Sequence, residues 1–160
     1  MELQLIDYLP EYQPYFEKFN KAWIEEYFIL EDFDKWVLEN PNEAIIKDGG
    51  KIYFVTADSK IVGTVGLRFI EEGVFELTKM GVDKGYHGGG AGQFLCQGAI
   101  DKAREMGVQK LVLWSNRRLQ NAIHIYHKLG FTEIPVSPGT YGRADIMMEI
   151  NFKQEAFTDN

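Results

Sequence analysis

Two periods alternate along this chain, and the points where one gives way to the other mark out its elements. Tyr12, Tyr15, Phe16, Phe19, Ala22, Trp23 and Tyr27 recur at helical spacing, which predicts an amphipathic first helix. A short strand over residues 3–6 precedes it, and a second short helix is expected over 30–38, broken by Asn40-Pro41-Asn42. The period then shortens. Past the turn Asp48-Gly49-Gly50, residues 51–57, 61–69 and 74–82 read as strands, joined at Asp58-Ser59-Lys60 and Glu71-Glu72-Gly73 into an antiparallel meander.

Helical spacing returns with Ala91, Phe94, Leu95, Gly98, Ala99, Lys102, Ala103 and Met106, ended by Gly107. Residues 110–114 predict a buried parallel strand. Ala122, Ile125, Tyr126 and Leu129 form the stripe of another helix, capped by Gly130, and residues 131–136 and 145–152 are expected to close the sheet. The order is that of an α/β protein. No repeat, linker or low-complexity stretch interrupts it, so one domain is expected over residues 1–152, followed by a polar tail at 153–160.

Composition narrows the class. With 160 residues, 45% hydrophobic and 14% aromatic, the chain can bury one substantial core and is short for two. No run approaches the roughly 20 apolar residues of a membrane span, and no basic-then-apolar leader opens the sequence. A cytoplasmic protein without membrane partners is expected. Seventeen basic against twenty-four acidic residues give a net charge of −7, which argues against nucleic acid as a partner; it keeps a small protein soluble and mildly favours cationic substrates. The single cysteine, Cys96, falls within the apolar pattern of its helix and reads as core, and three histidines without paired spacing predict no metal site.

The candidate chemistry begins between the strand at 74–82 and the helix starting at Ala91, at His87-Gly88-Gly89-Gly90-Ala91-Gly92. The first N–H groups of a helix lack intrahelical acceptors and sit at the positive end of its dipole, so an anion is stabilised there. Glycines put no Cβ in the way of a diphosphate and can adopt the positive φ that turns successive N–H groups inward. A bulky residue at Gly90 or Gly92 is therefore expected to hinder binding. The spacing excludes a P-loop, because Gln93 stands where lysine is required. A dinucleotide fingerprint counted from Gly88 or Gly90 fails as well, its third glycine falling on Gln93 or Leu95.

The pattern left is Gln/Arg-x-x-Gly-x-Gly/Ala, with His87 in its first position. Downstream, residues 121–131 carry Asn-Ala-x-x-x-Tyr-x-x-x-Gly-Phe, with Asn121, Tyr126, Gly130 and Phe131 at the marked places. Two motifs in this order resemble the GCN5-related N-acetyltransferase (GNAT) superfamily, and residues 76–82 are similar to that family's fourth strand. The resemblance covers roughly residues 51–150. It implies a single-domain fold with a mixed sheet of about six to seven strands, an antiparallel meander plus a parallel splayed pair, flanked by about four helices.

The same resemblance implies acetyl-CoA as co-substrate, no metal, and direct acyl transfer to an amine of a small molecule, peptide or protein. An alkyl amine is mostly protonated at neutral pH, so a general base is needed. By position this is Glu76, acting directly or through one water, unless Glu76 is simply a solvent-facing strand residue; Glu71, Glu72, Glu31 and Asp145 are weaker rivals. Tyr126 is placed to protonate the departing thiolate, or else fills the core with its hydroxyl bonded. The family supplies a backbone N–H to the thioester oxygen, here assigned to Met80, while backbone of Met80, Gly81 and Val82 pairs with the pantetheine arm and residues 87–92, Ala91 included, hold the pyrophosphate. Asn121 matches a residue contacting the coenzyme arm, or caps its helix; Asn116 shares that ambiguity. The acceptor is expected between residues 23–33 and 137–143, with Tyr27, Glu31, Tyr141 and Arg143 as candidates. Arg143 would suit a carboxylate on the acceptor, the acidic candidates a polyamine or lysine. A homodimer through the C-terminal strands is plausible by analogy, and the alternative function is a coenzyme-binding regulatory module without turnover.

Overall fold

The computed structural model describes residues 1–137 and 141–153. Its centre is a seven-stranded sheet: β1 (Leu3–Asp7), β2 (Lys51–Ala57), β3 (Lys60–Glu71), β4 (Val74–Val82), β5 (Lys110–Ser115), β6 (Thr132–Ile134) and β7 (Ile146–Asn151), in the spatial order β1-β2-β3-β4-β5-β7-β6. The first four strands are antiparallel, β4 and β5 are parallel, and β7 lies antiparallel between β5 and β6. Among the described residues four α-helices accompany them: α1 (Gln13–Tyr27), α2 (Asp32–Glu39), α3 (Ala91–Glu105) and α4 (Gln120–Lys128). Short helical turns at Pro10–Tyr12, Asn42–Ile46 and Lys84–Tyr86 complete the elements. This is the mixed α/β architecture the resemblance implies. Among the described residues no helix is long and apolar enough to cross a membrane.

Helices cover both faces of the sheet, and β2 shows why its sequence is a continuous apolar run rather than an alternating one. Successive side chains point to opposite faces. Ile52 and Phe54 join Phe16, Ile24, Val37 and Leu38 from α1 and α2, while Tyr53, Val55 and Ala57 join Leu95, Ala99 and Ile100 from α3. Phe16, Phe54 and Leu95 are wholly buried; each such side chain contributes roughly 1.5–3 kcal/mol through the water it leaves. Cys96 lies in the second of these cores, where burial pushes its thiol up to about 12, so it stays protonated.

The strands extend past their expected limits in the meander and fall short at the far edge. β3 runs from Lys60 to Glu71, and the preceding turn holds Asp58 and Ser59 at φ 49° and 74°, the conformation a tight two-residue hairpin demands. β6 covers only Thr132–Ile134 of the expected 131–136, since Pro135 has no N–H to continue the ladder. Of the expected tail, residues 154–160 lie outside the described residues.

Two features of β4 shape the site. It pairs with β5 only at Val74↔Lys110, Phe75↔Leu111 and Glu76↔Val112, after which the strands run on without pairing. Between Thr64↔Gly81 and Gly66↔Thr78, Lys79 and Met80 stand opposite the single residue Val65, a β-bulge with Lys79 at φ 53°. The bulge kinks β4 as it leaves β5. Gly81 lets α1 lie against the kinked strand, for a Cβ there would meet the Phe19 carbonyl and the Trp23 ring, both at 3.1 Å.

Candidate active site

The gap between the separating strands is a cleft of about 670 Å³. Of the residues singled out in the sequence, Glu76, Met80, Gly81, Val82, His87, Gly88, Gly90, Ala91, Gly92, Asn116, Asn121, Tyr126, Tyr27, Tyr141 and Arg143 all line it. Gly89 and Glu31 do not. The Gly89 N–H turns back to the Tyr86 carbonyl at 3.4 Å, and Glu31 stands behind the wall, holding Arg143 in place.

At one end the cleft is built from backbone. Gly88 and Gly90 both have φ 84°, and Gly90 is the residue from which α3 starts. The first amide past Gly90 to find a backbone acceptor at this end is Phe94, which donates to the Gly90 carbonyl at 2.9 Å. The N–H groups of Ala91, Gly92 and Gln93 thus have no acceptor within the helix. The loop fits a diphosphate: orphan donors, a helix dipole and no side chain at three successive positions. His87 does something other than its place in the motif implies, since its Nε2 donates to the Val82 carbonyl at 2.9 Å and ties the loop to the end of β4.

The middle holds the groups assigned to proton transfer. Glu76 is 1% exposed, which removes the solvent-facing alternative. Arg68, its register partner across the β3–β4 hairpin, donates from Nε to Glu76 Oε1 at 2.9 Å. Tyr141 stands beside them, its hydroxyl 3.2 Å from Thr78 Oγ1 and pushed well above its ordinary value by burial and by the Glu76 carboxylate. Tyr126 packs edge-on to Phe131 at 5.7 Å and also lines the cleft. Burial pushes its hydroxyl upward, which keeps the proton on the oxygen at neutral pH. The weaker rivals are elsewhere: Glu71 and Glu72 lie at the exposed hairpin end, and Asp145 accepts the Arg117 N–H.

The asparagines are corrected in one respect. α4 begins at Gln120 with Leu119 in the capping position, so Asn121 lies inside the helix and does not cap it. The bracing role falls to Asn116, whose Oδ1 accepts the Arg118 N–H at 2.9 Å and whose Nδ2 donates to the Arg143 carbonyl at 2.7 Å.

The other end is built from side chains, and here sequence reasoning missed the principal residues. Asp34 is fully buried and its carboxylate accepts four hydrogen bonds: Lys79 Nζ at 2.8 Å, Arg143 Nη1 at 2.6 Å and Nη2 at 2.9 Å, and the Glu31 N–H at 3.1 Å. Glu31 in turn takes Arg143 Nη1 at 3.0 Å and the Gly142 N–H at 3.1 Å. Burial alone would raise the Asp34 carboxyl; Arg143 and Lys79 outweigh it and hold the group at about 2. For Lys79 burial is the larger influence and lowers its ammonium below the ordinary lysine value. The two directions pull against each other, and we take the pair as charged because Asp34 has two cationic partners. A signal existed for Asp34: it shares the buried stripe of α2 with Val37 and Leu38, and a carboxylate on a buried stripe requires partners. Residues 138–140 of the expected acceptor segment lie outside the described residues.

The acetyltransferase (GNAT) family profile matches residues 6–131. This chain belongs to that family. As a GNAT protein it is 27% identical over 128 residues to an uncharacterized N-acetyltransferase, MJ1207, of Methanocaldococcus jannaschii, in an alignment covering 78% of this chain and 51% of that protein. The chain thus spans about half the length of this curated relative. Its fold is shared with a GNAT-family acetyltransferase of Staphylococcus aureus Mu50, at TM-score 0.83 and 24% identity over 95% of this chain and 100% of that one. It is shared too with the PaiA N-acetyltransferase of Thermoplasma acidophilum in complex with coenzyme A, at TM-score 0.74 and 18% identity over 94% and 99% of the two chains.

Proposed function

We propose that this protein is an N-acetyltransferase that binds acetyl-CoA in the cleft between β4 and β5 and passes its acetyl group directly to a primary amine. One observation carries the reading: the amide cradle, a buried carboxylate and a protonated phenol all face the same cleft. Acetyl-CoA supplies the activated acyl group as a thioester. The N–H groups of residues 90–93 hold its pyrophosphate, with His87 bracing the loop on the Val82 carbonyl. Met80, turned out of the β3 ladder by the bulge, offers backbone to the pantetheine arm and an N–H to the thioester oxygen.

Glu76 takes the proton that the incoming ammonium must lose, directly or through one water. Arg68 occupies Oε1 and leaves Oε2 for that proton. Tyr126 delivers its own proton to the sulfur as the carbon–sulfur bond breaks, a transfer suited to a phenol that burial keeps protonated. Buried Cys96 takes no part, consistent with direct transfer. The test is release of free CoA thiol from acetyl-CoA across a panel of amines. Amine-dependent release supports the reading, release lost in Glu76→Gln assigns the base, and coenzyme binding without release by any amine points to a module without turnover.

A further inference from the structure

Among the described residues, the carboxylates at and behind the cleft wall, Glu76, Asp34 and Glu31, are already engaged. Among the described residues lining the cleft only one is acidic, Glu76, and Arg68 holds it. Behind the wall, Asp34 and Glu31 are taken by Lys79 and Arg143, two carboxylates against two cations. Three of the aromatic rings at this end, Tyr141, Trp23 and Phe28, already face cations of the protein. The Arg143 guanidinium lies 5.0 Å from the Tyr141 ring centroid, 5.8 Å from Trp23 and 5.9 Å from Phe28, and Lys79 Nζ sits 4.5 Å from Tyr141. Among the described residues lining the cleft a polyamine would find no free carboxylate, and at Tyr141, Trp23 and Phe28 it would compete with the Arg143 guanidinium.

Positive charge, by contrast, is left over. Arg118 lines the cleft from the β5–α4 loop, reaches across it to donate from Nη1 to the Tyr27 carbonyl at 2.7 Å, and packs its guanidinium 5.6 Å from the Phe28 ring centroid. No carboxylate among the described residues pairs with it. Arg118 and Arg143 therefore converge on Phe28, with five charged or polar N–H donors of Arg118 answered by one carbonyl. The wall nearby is short of acceptors in another way: Trp114 Nε1 is buried with no hydrogen-bond partner among the described residues.

We propose that the acceptor amine also carries a carboxylate, as an amino acid or short peptide does, and that Arg118 binds it beside Phe28. The proposal rests on the acetyltransferase reading and narrows its substrate class. A guanidinium fork matches a carboxylate in two parallel hydrogen bonds, which a lysine in its place would not reproduce. The reacting amine then points inward to Glu76 while the carboxylate stays at the mouth.

The test compares kcat/KM for the common amino acids and a set of dipeptides with their own C-terminal amides, and with spermidine and 1,5-diaminopentane, in wild type, Arg118→Ala and Arg118→Lys. Acetyl-CoA binding is followed separately by calorimetry. The expected result is a preference for the free acid over its amide of about 10- to 100-fold, abolished in Arg118→Ala and partly kept in Arg118→Lys. A merely structural Arg118 would lower acid and amide together. The proposal is overturned if polyamines or amides are turned over as well as the acids, if no carboxylate-bearing amine is turned over, or if Arg118→Ala weakens coenzyme binding and leaves the acid-to-amide ratio intact. Wild-type protein that fails to bind acetyl-CoA would instead remove the reading of the cleft on which the proposal stands.

Discussion

The two ends of the cleft are made of different materials. The end proposed for the coenzyme is backbone: a glycine loop, orphan amides and a bulged strand, contained within residues 78–93. The end proposed for the acceptor is side chain: Asp34, Lys79 and Arg143, drawn together across 45 and 109 residues of sequence. Backbone recognition depends on local φ and on the absence of Cβ atoms, so it tolerates changes elsewhere and is lost by a change at one glycine. A buried ion network depends on every partner at once, because removing one leaves the others charged and dry.

Asp34→Ala is the harshest test of that contrast. It strands Lys79 and the two-pronged Arg143, and is expected to cost about 3–5 kcal/mol in denaturant unfolding. A substitution at Gly90, strained at φ 84°, is expected to cost only about 1–2 kcal/mol. Glu76→Gln is expected to lower kcat about 100-fold or more in single-turnover assays, with acetyl-CoA affinity retained. An equal loss of coenzyme affinity would show that the two ends are not separable.

Acid probes the same network without mutation. Because the folded-state value of Asp34, about 2, lies below the ordinary 3.8, its ionised form stabilises the fold fully above about pH 4. That contribution, of the order of 2 kcal/mol, is lost as the pH falls from about 4 toward 2. Unfolding free energies of wild type and Asp34→Asn should therefore converge on acidification. A gap constant with pH contradicts the assignment.

Smaller effects are expected at the backbone end. Gly90→Val places a branched side chain at φ 84° and is expected to weaken acetyl-CoA binding about tenfold or more, with far-ultraviolet circular dichroism unchanged. Tyr126→Phe keeps the packing on Phe131 and removes one hydroxyl, so kcat should fall about tenfold with the unfolding midpoint nearly unmoved.

The contrast also explains what could be read in the sequence. The strand, the glycine loop, α3 and the Asn-Ala-x-x-x-Tyr helix are local patterns, and the residues drawn from them converge on one cleft. Glu76 with Arg68 was accessible in principle, since positions 68 and 76 mirror each other about the hairpin turn and must meet across the strands. Asp34 and Lys79 were not paired in advance because nothing local links a helix residue to a strand bulge. Lys79 on a largely buried strand and Asp34 on a buried stripe each signalled a missing partner, but only the fold joins them. His87 and Asn121 show the converse limit: a motif marks a position, while the atom a side chain finally bonds is decided by neighbours such as the Val82 carbonyl.

Calorimetric titration of the folded protein with acetyl-CoA tests the central claim most directly. Saturable binding of one molecule per chain, weakened by Gly90→Val, is the predicted result. Absence of binding by folded wild-type protein, or binding indifferent to Gly90→Val, would contradict the assignment of the β4–β5 cleft and its amide cradle to the coenzyme.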